Sequence, residues 1–432
     1  MPRRERTSAI SARMVAARVL ERVVKDGAYA AAALDAELER HAQLDARERA
    51  LATELVYGCL RTRRVLLEHV ARHAPRGVKD AAVETHLVIA AYQLLILERI
   101  PPFAAVDAAV EAVRGLRGAR VAGFANAVLR RLAAEGAHLE RASAIVESAP
   151  RWLFERLAGA VGDSEARALL GAGRDEQPPT CLRVSETVGS PAWLTEAERG
   201  RASPLARLVT GGDPRRREGY REGAFVVQEE GAQVVALALG ARPGDRVLDA
   251  CAGRGQKTLL FSGRVGAAGV VWATDLYPSK LEVLAREAER LGVAEPRTAA
   301  VDYTLGTAEV PGDFDRVLVD APCTGVGTLR RRPEIALRLE PDAPARLGEL
   351  AHQILRRAAT RARAGGRVVF AVCSVLREES EEVVERVLDV LEPTPFDAPE
   401  LRGLVGEGAT SFRLLPGRHG TDGYFVASFA RR

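Results

Sequence analysis

The chain has 432 residues, 47% hydrophobic and 28% charged, with a formal net charge of +4. That length allows two or three domains with cores of their own, the composition excludes a disordered chain, and the charge is too small to announce a nucleic-acid partner by itself. No stretch approaches the roughly 20 apolar residues of a bilayer span, and the charged start, Met1 to Ser8, lacks the apolar run of a secretory signal, so a cytoplasmic protein without membrane contact is expected.

The first third reads as helices. Asp45 followed by Glu48 has the form of a capping box ahead of Leu51, Leu55, Val56, Cys59 and Leu60 at helical spacing. Leu87, Ala91, Leu94 and Leu95 repeat the period until Pro101 and Pro102 stop it. Val106, Val110 and Val113, then Phe124, Val128 and Leu129, continue it. No strand-like alternation occurs, so residues 1–140 are expected to form one all-helical domain. His69 and His73 lie four apart with no third ligand nearby in sequence, and no metal is expected there. Residues 141–222, with scattered prolines and a short apolar stretch from Cys181 to Val184, read as a small mixed α+β segment.

From about Gly223 to the end, short apolar runs alternate with helical patterns. The runs are Arg246 to Ala250, Val270 to Asp275, Thr298 to Asp302, Arg316 to Asp320 and Arg367 to Val372; Lys280 to Leu291 and Glu378 to Leu391 read as helices. Strands spaced by helices imply an α/β fold with a doubly wound, Rossmann-like parallel sheet, whose ligands bind beyond the carboxyl ends of the strands.

At the first such end stands Cys251-Ala252-Gly253-Arg254-Gly255-Gln256-Lys257, followed by a helix. Glycines at a strand-to-helix turn let the backbone approach a ligand, and the helix start offers free N–H groups. Only four of the 62 basic residues are lysines, so Lys257 is not a default choice. A P-loop lacks its leading glycine here. Asp275 ends the second strand, where an acid accepts ribose hydroxyls, and Asp302 ends the third, where one receives the adenine amine. A nicotinamide cofactor shares the first two features; a sulfonium cofactor, S-adenosylmethionine, accounts better for the third.

The fourth strand leads into Asp320-Ala-Pro-Cys323 and the fifth into Cys373-Ser-Val-Leu-Arg-Glu-Glu. Five scattered cysteines without CxxC spacing argue against a disulfide framework or a zinc ribbon, yet two of them flank the cofactor turn. A thiolate adding to carbon 6 of cytosine makes carbon 5 nucleophilic, and an acid near ring nitrogen 3, here Asp320, stabilises the adduct. Spacing leaves open which of Cys323 and Cys373 attacks.

The run from Asp320 to Glu334, Asp-Ala-Pro-Cys-Thr-Gly-Val-Gly-Thr-Leu-Arg-Arg-Arg-Pro-Glu, with the Cys373 motif fifty residues on, resembles the signature of RNA 5-methylcytosine methyltransferases. Val227-Gln-Glu-Glu-Gly-Ala-Gln233 and Leu414-Leu-Pro-Gly-Arg-His-Gly-Thr-Asp-Gly-Tyr-Phe425 are similar to further motifs of that family. Ile100-Pro-Pro-Phe and Gly123-Phe-Ala-Asn126-Ala-Val-Leu-Arg130 resemble the RNA-binding antitermination factor NusB. The combination is similar to the bacterial Sun/RsmB family, and the resemblance covers nearly the whole chain. It implies a NusB-like RNA-binding domain over 1–140 and a methyltransferase domain over 223–432. It also implies S-adenosylmethionine held by Cys251 to Lys257 with Asp275, Asp302 and Asp320, Cys373 as nucleophile and Cys323 in product release. The family's turn reads Ala-Pro-Gly-Gly-Lys, from which Arg254 and Gln256 depart. The implied substrate is a single-stranded or loop cytosine of 16S ribosomal RNA, taken by a monomer. The alternatives are the same chemistry on transfer RNA or 23S rRNA, or a non-catalytic RNA-binding factor. Arg330 to Arg332, Arg61 with Arg63 and Arg64, and Arg215 to Arg217 are expected to meet phosphates.

Overall fold

Asp45 and Asp80 start two helices from their side chains, satisfying N–H groups that have no partner within the helix. Asp45 accepts the Glu48 N–H at 2.8 Å, and Asp80 those of Ala82 and Val83 at 3.0 and 3.1 Å. The reciprocal half of the expected box is not made: Glu48 accepts the Ala12 N–H at 2.6 Å and so serves the start of another helix. The computed structural model describes residues 10–173, 178–307 and 309–432, so the start from Met1 to Ser8 lies outside the described residues. Five helices fill the first third: α1 (Ala12–Asp26), α2 (Ala30–Arg40), α3 (Ala46–His73), α4 (Ala81–Leu95) and α5 (Pro102–Ala134). They close over a core that includes Leu20, Leu55, Leu66, Leu87, Val113 and Leu129. Pro102 takes the first position of α5, where its missing N–H costs nothing. Phe124, expected inside, is exposed, because Ala122, Ala125, Val128 and Leu129 set the buried face and leave it on the other side.

The chain divides into two compact units. The first takes Met1–Glu155, Ala166–Glu176 and Leu329–Arg338, and the second Arg156–Glu165, Gln177–Thr328 and Leu339–Arg432. Within the first, the late segment is tied to the helices by hydrogen bonds. Arg61 donates to the Arg330 carbonyl at 2.6 Å, the Ala30 N–H to Glu334 Oε1 at 3.2 Å, and Arg338 to the carbonyls of Val23, Gly27 and Ala28 at 2.7, 2.7 and 2.8 Å.

In the second unit a small antiparallel sheet holds β1 (Thr180–Val184), β2 (Glu198–Arg199), β3 (Ala206–Val209) and β4 (Phe225–Val227) in the order β2-β3-β1-β4. The large sheet contains β5 (Arg246–Asp249), β6 (Val270–Asp275), β7 (Arg297–Ala300), β8 (Phe314–Asp320), β9 (Ala362–Val372), β10 (Leu391–Pro393), β11 (Ser411–Leu414) and β12 (Tyr424–Arg431). Its order is β10-β12-β9-β8-β5-β6-β7, with β11 on β12. The pairs joining β7, β6, β5, β8 and β9 are parallel, and β12 runs antiparallel to β9. Val317–Val319 and Val368–Val372 are wholly buried, as strands covered on both faces must be. The order reverses between β5 and β8, which opens the ligand crevice at their carboxyl ends.

Three expectations shift. The third strand stops at Ala300, so Asp302 lies two residues beyond its end. Lys280 to Leu291 belongs to two short helices, Pro278–Leu281 and Leu284–Leu291. Of Glu378 to Leu391 only Glu381–Glu385 is α-helical. The rest turns through i→i+3 bonds, from the Val387 N–H to Val384 and from the Val390 N–H to Val387, into β10. The four valines there, at positions 383, 384, 387 and 390, are stiff at χ1 and poor helix formers. Among the described residues no helix is long and apolar enough to cross a membrane.

Candidate active site

β5 ends in Asp249, which is buried; its Oδ2 accepts the Thr258 hydroxyl at 2.7 Å and its Oδ1 has no hydrogen-bond partner. Burial raises this carboxyl to about 6. The chain then turns through Gly253 (φ 58°) and Gly255 (φ 77°), a region of backbone space that favours glycine. Gly255 caps the helix Gln256–Val265 without a side-chain bond to its first N–H groups, which stay available to an anion. Open space lies where a Cβ would stand on Gly253.

Asp275 faces this turn from β6. It accepts the Gly253 N–H at 3.0 Å, the Tyr277 N–H at 2.9 Å and the Lys280 ammonium at 3.1 Å. Asp302 accepts the N–H and hydroxyl of Thr304 at 2.8 and 2.6 Å, bonds that hold its carboxyl below the usual range. Arg254 is exposed, and Gln256 turns its amide to the Val227 carbonyl at 2.8 Å, so both departures from the family's turn have their side chains at the surface. Cys251 lies in the turn, with its thiol pushed up by burial. Ala252 donates to the Thr274 carbonyl at 2.8 Å.

Lys257 forms an ion pair with Asp320 at the end of β8. Burial works against its charge, but Asp320 outweighs that effect, with Asp249 and Cys373 adding to it, and the net direction is upward. The sequence assigns Lys257 to the cofactor and Asp320 to both cofactor and catalysis; the structure couples the two side chains.

Beyond β8 and β9 the sulfurs of Cys323 and Cys373 lie 3.4 Å apart. The Cys323 thiol is raised well above its ordinary value, first by its hydrogen bond to Cys373 and then by burial. The two loops are laced together. The Ala321 N–H donates to Ala371 at 2.9 Å, the Gly327 N–H to the Cys373 carbonyl at 3.0 Å, and the Gly423 N–H to the Gly327 carbonyl at 2.8 Å. A Cβ on Gly327 would stand 2.0 Å from the Gly423 oxygen, so only glycine fits this crossing. Glu379, which the sequence reading did not single out, is fully buried beneath both loops.

The expected phosphate contacts are partly overturned. Arg330 is buried and Arg61 points to its carbonyl, so neither presents its charge outward. Arg63 pairs with Glu84 at 2.5 Å, Arg64 with Glu68, and Arg215 with Asp213 at 2.9 Å. Arg217 lies over the Trp193 ring and Arg332 over that of Tyr29. Among the described residues no group of three or more His, Cys, Asp or Glu could hold a metal ion.

A doubly wound sheet, a glycine turn whose helix start keeps free N–H groups, an acid at the next strand end and a pair of cysteines beyond β8 and β9 fit an S-adenosylmethionine-dependent methyltransferase. Residues 236–430 match the family model for the 16S rRNA methyltransferase RsmB/F, and residues 10–134 match the NusB family. A Mycobacterium tuberculosis protein named "Putative methyltransferase MT1451" is 36% identical, the match covering 97% of this chain and 96% of that one. The ribosomal RNA small subunit methyltransferase B of Xylella fastidiosa is 34% identical over 96% of this chain and 99% of its own length. The crystal structure of PH0851 superposes with a TM-score of 0.81 at 21% identity, over 97% of this chain and 99% of that one, a likeness of fold. The chain belongs to the RsmB/F family of rRNA methyltransferases.

Proposed function

We propose that this chain methylates carbon 5 of a cytosine in 16S ribosomal RNA through a covalent adduct on Cys373. The observation that carries the reading is the pair of sulfurs 3.4 Å apart, in which Cys323 keeps its proton. One sulfur is then the attacking group and its neighbour a proton-bearing assistant, a division that suits a reaction with an addition and an elimination step.

The Cys373 thiol gives its proton to the Asp320 carboxylate as its sulfur bonds to carbon 6, and the electron pair of the 5,6 double bond moves toward carbon 5. Bound S-adenosylmethionine supplies the electrophilic methyl group. Asp320 passes that proton to ring nitrogen 3, which neutralises the electron-rich adduct, and the Lys257 ammonium against it holds the carboxylate in place. Water then takes the carbon 5 proton, the 5,6 double bond re-forms and the bond to Cys373 breaks; the departing sulfur takes back the nitrogen 3 proton by way of Asp320, with the Cys323 thiol hydrogen-bonded to it. Asp275, Asp302 and the Cys251 to Lys257 turn hold the cofactor. The target base leaves its stack at a cost of a few kcal/mol, least in a loop. Full-length similarity to relatives named as small subunit methyltransferase B supports the 16S substrate.

The test uses in vitro transcribed 16S rRNA containing 5-fluorocytosine, which blocks the final proton loss. The parent chain and Cys323→Ala should form a denaturation-resistant complex, and Cys373→Ala none. With ordinary RNA, Cys323→Ala should accumulate adduct and Cys373→Ala should lose at least about a thousandfold in rate. The reverse pattern between the two cysteines would sink the assignment, and a labelled product other than 5-methylcytosine would sink the reaction.

A further inference from the structure

Glu379 sits where no solvent reaches it, six residues past Cys373. Its Oε1 accepts the Thr324 N–H at 2.5 Å; its Oε2 accepts the Thr324 hydroxyl at 2.6 Å and the Ser374 hydroxyl at 2.5 Å. Thr324 directly follows Cys323, and Ser374 directly follows Cys373. One carboxylate thus holds the residue after each cysteine, and both of its oxygens are used. The Ser374 hydroxyl also accepts the Leu376 N–H at 3.2 Å, and the Glu379 N–H donates to the Leu376 carbonyl at 3.1 Å, so the short turn carrying the carboxylate is itself fixed.

Burying a carboxylate is costly, and an apolar side chain of similar volume is often the more stable choice. A buried acid that accepts three hydrogen bonds, through both of its oxygens, from two loop residues therefore points to geometry rather than to stability. The loops it joins follow different strands, β8 and β9, and register alone does not fix the distance between two flexible side chains beyond the strand ends.

We propose that Glu379 is the positioning residue that sets the two catalytic sulfurs at their working separation. It rests on the two-cysteine reading above and adds the device that holds the pair. Burial raises the Glu379 carboxyl, while the hydrogen bonds from Ser374 and Thr324 draw it back. Its charge also bears on Cys323, whose proton it helps retain. Glu378 also bears on Glu379, and Cys373 on Cys323.

The experiment uses the full chain with Glu379→Gln, which keeps shape and one acceptor oxygen but loses the charge, and Ser374→Ala, which removes one tie. Methyl transfer is measured with S-adenosylmethionine and in vitro transcribed 16S rRNA. Alkylation of each cysteine by iodoacetamide is followed by mass spectrometry against pH. Glu379→Gln should keep its Tm within about 5 °C, lose about a hundredfold in kcat through misplaced sulfurs, and leave KM for RNA and cofactor unchanged. In a Cys373→Ala background it should move the alkylation of Cys323 to lower pH by about one unit, because a nearby negative charge is gone. Ser374→Ala should lose about tenfold in kcat with its fold intact. An unchanged kcat and alkylation profile in Glu379→Gln would overturn the proposal. Should that variant fail to fold, an unchanged kcat in Ser374→Ala would do the same. Alkylation needs no RNA, so a methylated product other than 5-methylcytosine would defeat the functional reading while still leaving Glu379 tested.

Discussion

The two halves of the site balance negative charge in different ways. On the cofactor side Asp275 faces Lys280, and Asp320, which stands between the halves, faces Lys257: side-chain cations on long stems. On the cysteine side Glu379 takes an N–H and two hydroxyls, and among the described residues no cation stands among its hydrogen-bond partners. A lysine can swing aside when a ligand brings its own donors, whereas fixed backbone and short hydroxyls cannot. The first arrangement suits a pocket that must fill and empty, and the second suits sulfurs that must not move.

The sharpest way to break that comparison is Lys257→Met. If Lys257 serves the chemistry with Asp320, kcat falls about a hundredfold or more while the KM for S-adenosylmethionine changes little, as steady-state kinetics will report. A rise in that KM with kcat intact would return Lys257 to the cofactor alone. Asp275→Asn should have a smaller and opposite signature, raising the KM for S-adenosylmethionine about tenfold, or about 1.4 kcal/mol of binding, with kcat nearly unchanged. Equal losses in kcat would place Asp275 with the reacting atoms.

The last effect concerns stability and not turnover. Asp249 is raised from 3.8 to about 6 by burial, so the folded chain binds its proton more tightly than the unfolded chain does. Stability contributed by this group therefore rises as pH falls from about 6 toward 3.8, by about 2–3 kcal/mol at most. Asp249→Asn cannot titrate, so on going from pH 7 to 4.5 the unfolding free energy measured in urea should gain less, or lose more, in the variant than in the parent. An equal difference in both would remove Asp249 as its source.

Much of the parallel sheet was legible because strands buried on both faces read as unbroken apolar runs, and Val270–Asp275 falls on its expected limits. The glycine turn was legible because it must follow such a run. Glu379 was not, although it ends the quoted Cys373 motif: its meaning depends on Thr324, fifty-five residues away, which sequence order does not bring near. The Asp320 and Lys257 pair was half legible, both residues being named but not their bond. Arginine runs misled for a related reason. Arg61 and Arg330 look like surface charge until each is seen packed inward, their carbon stems and guanidinium groups used in the interior. In Glu378 to Leu391 the apolar spacing suited a helix, but valine stiffness and the need to feed β10 prevailed.

The helical unit contains Leu329–Arg338, and this has a consequence in time. A ribosome extends a chain at about 5–20 residues per second, so roughly 180 further residues must be made after Glu155 before that segment exists, a wait of about 10–40 s. Until then the Ala30 N–H lacks Glu334, and the carbonyls of Val23, Gly27 and Ala28 lack Arg338. The helical unit, whose first residues precede the sheet in the chain, is completed only after most of the parallel sheet has been synthesised.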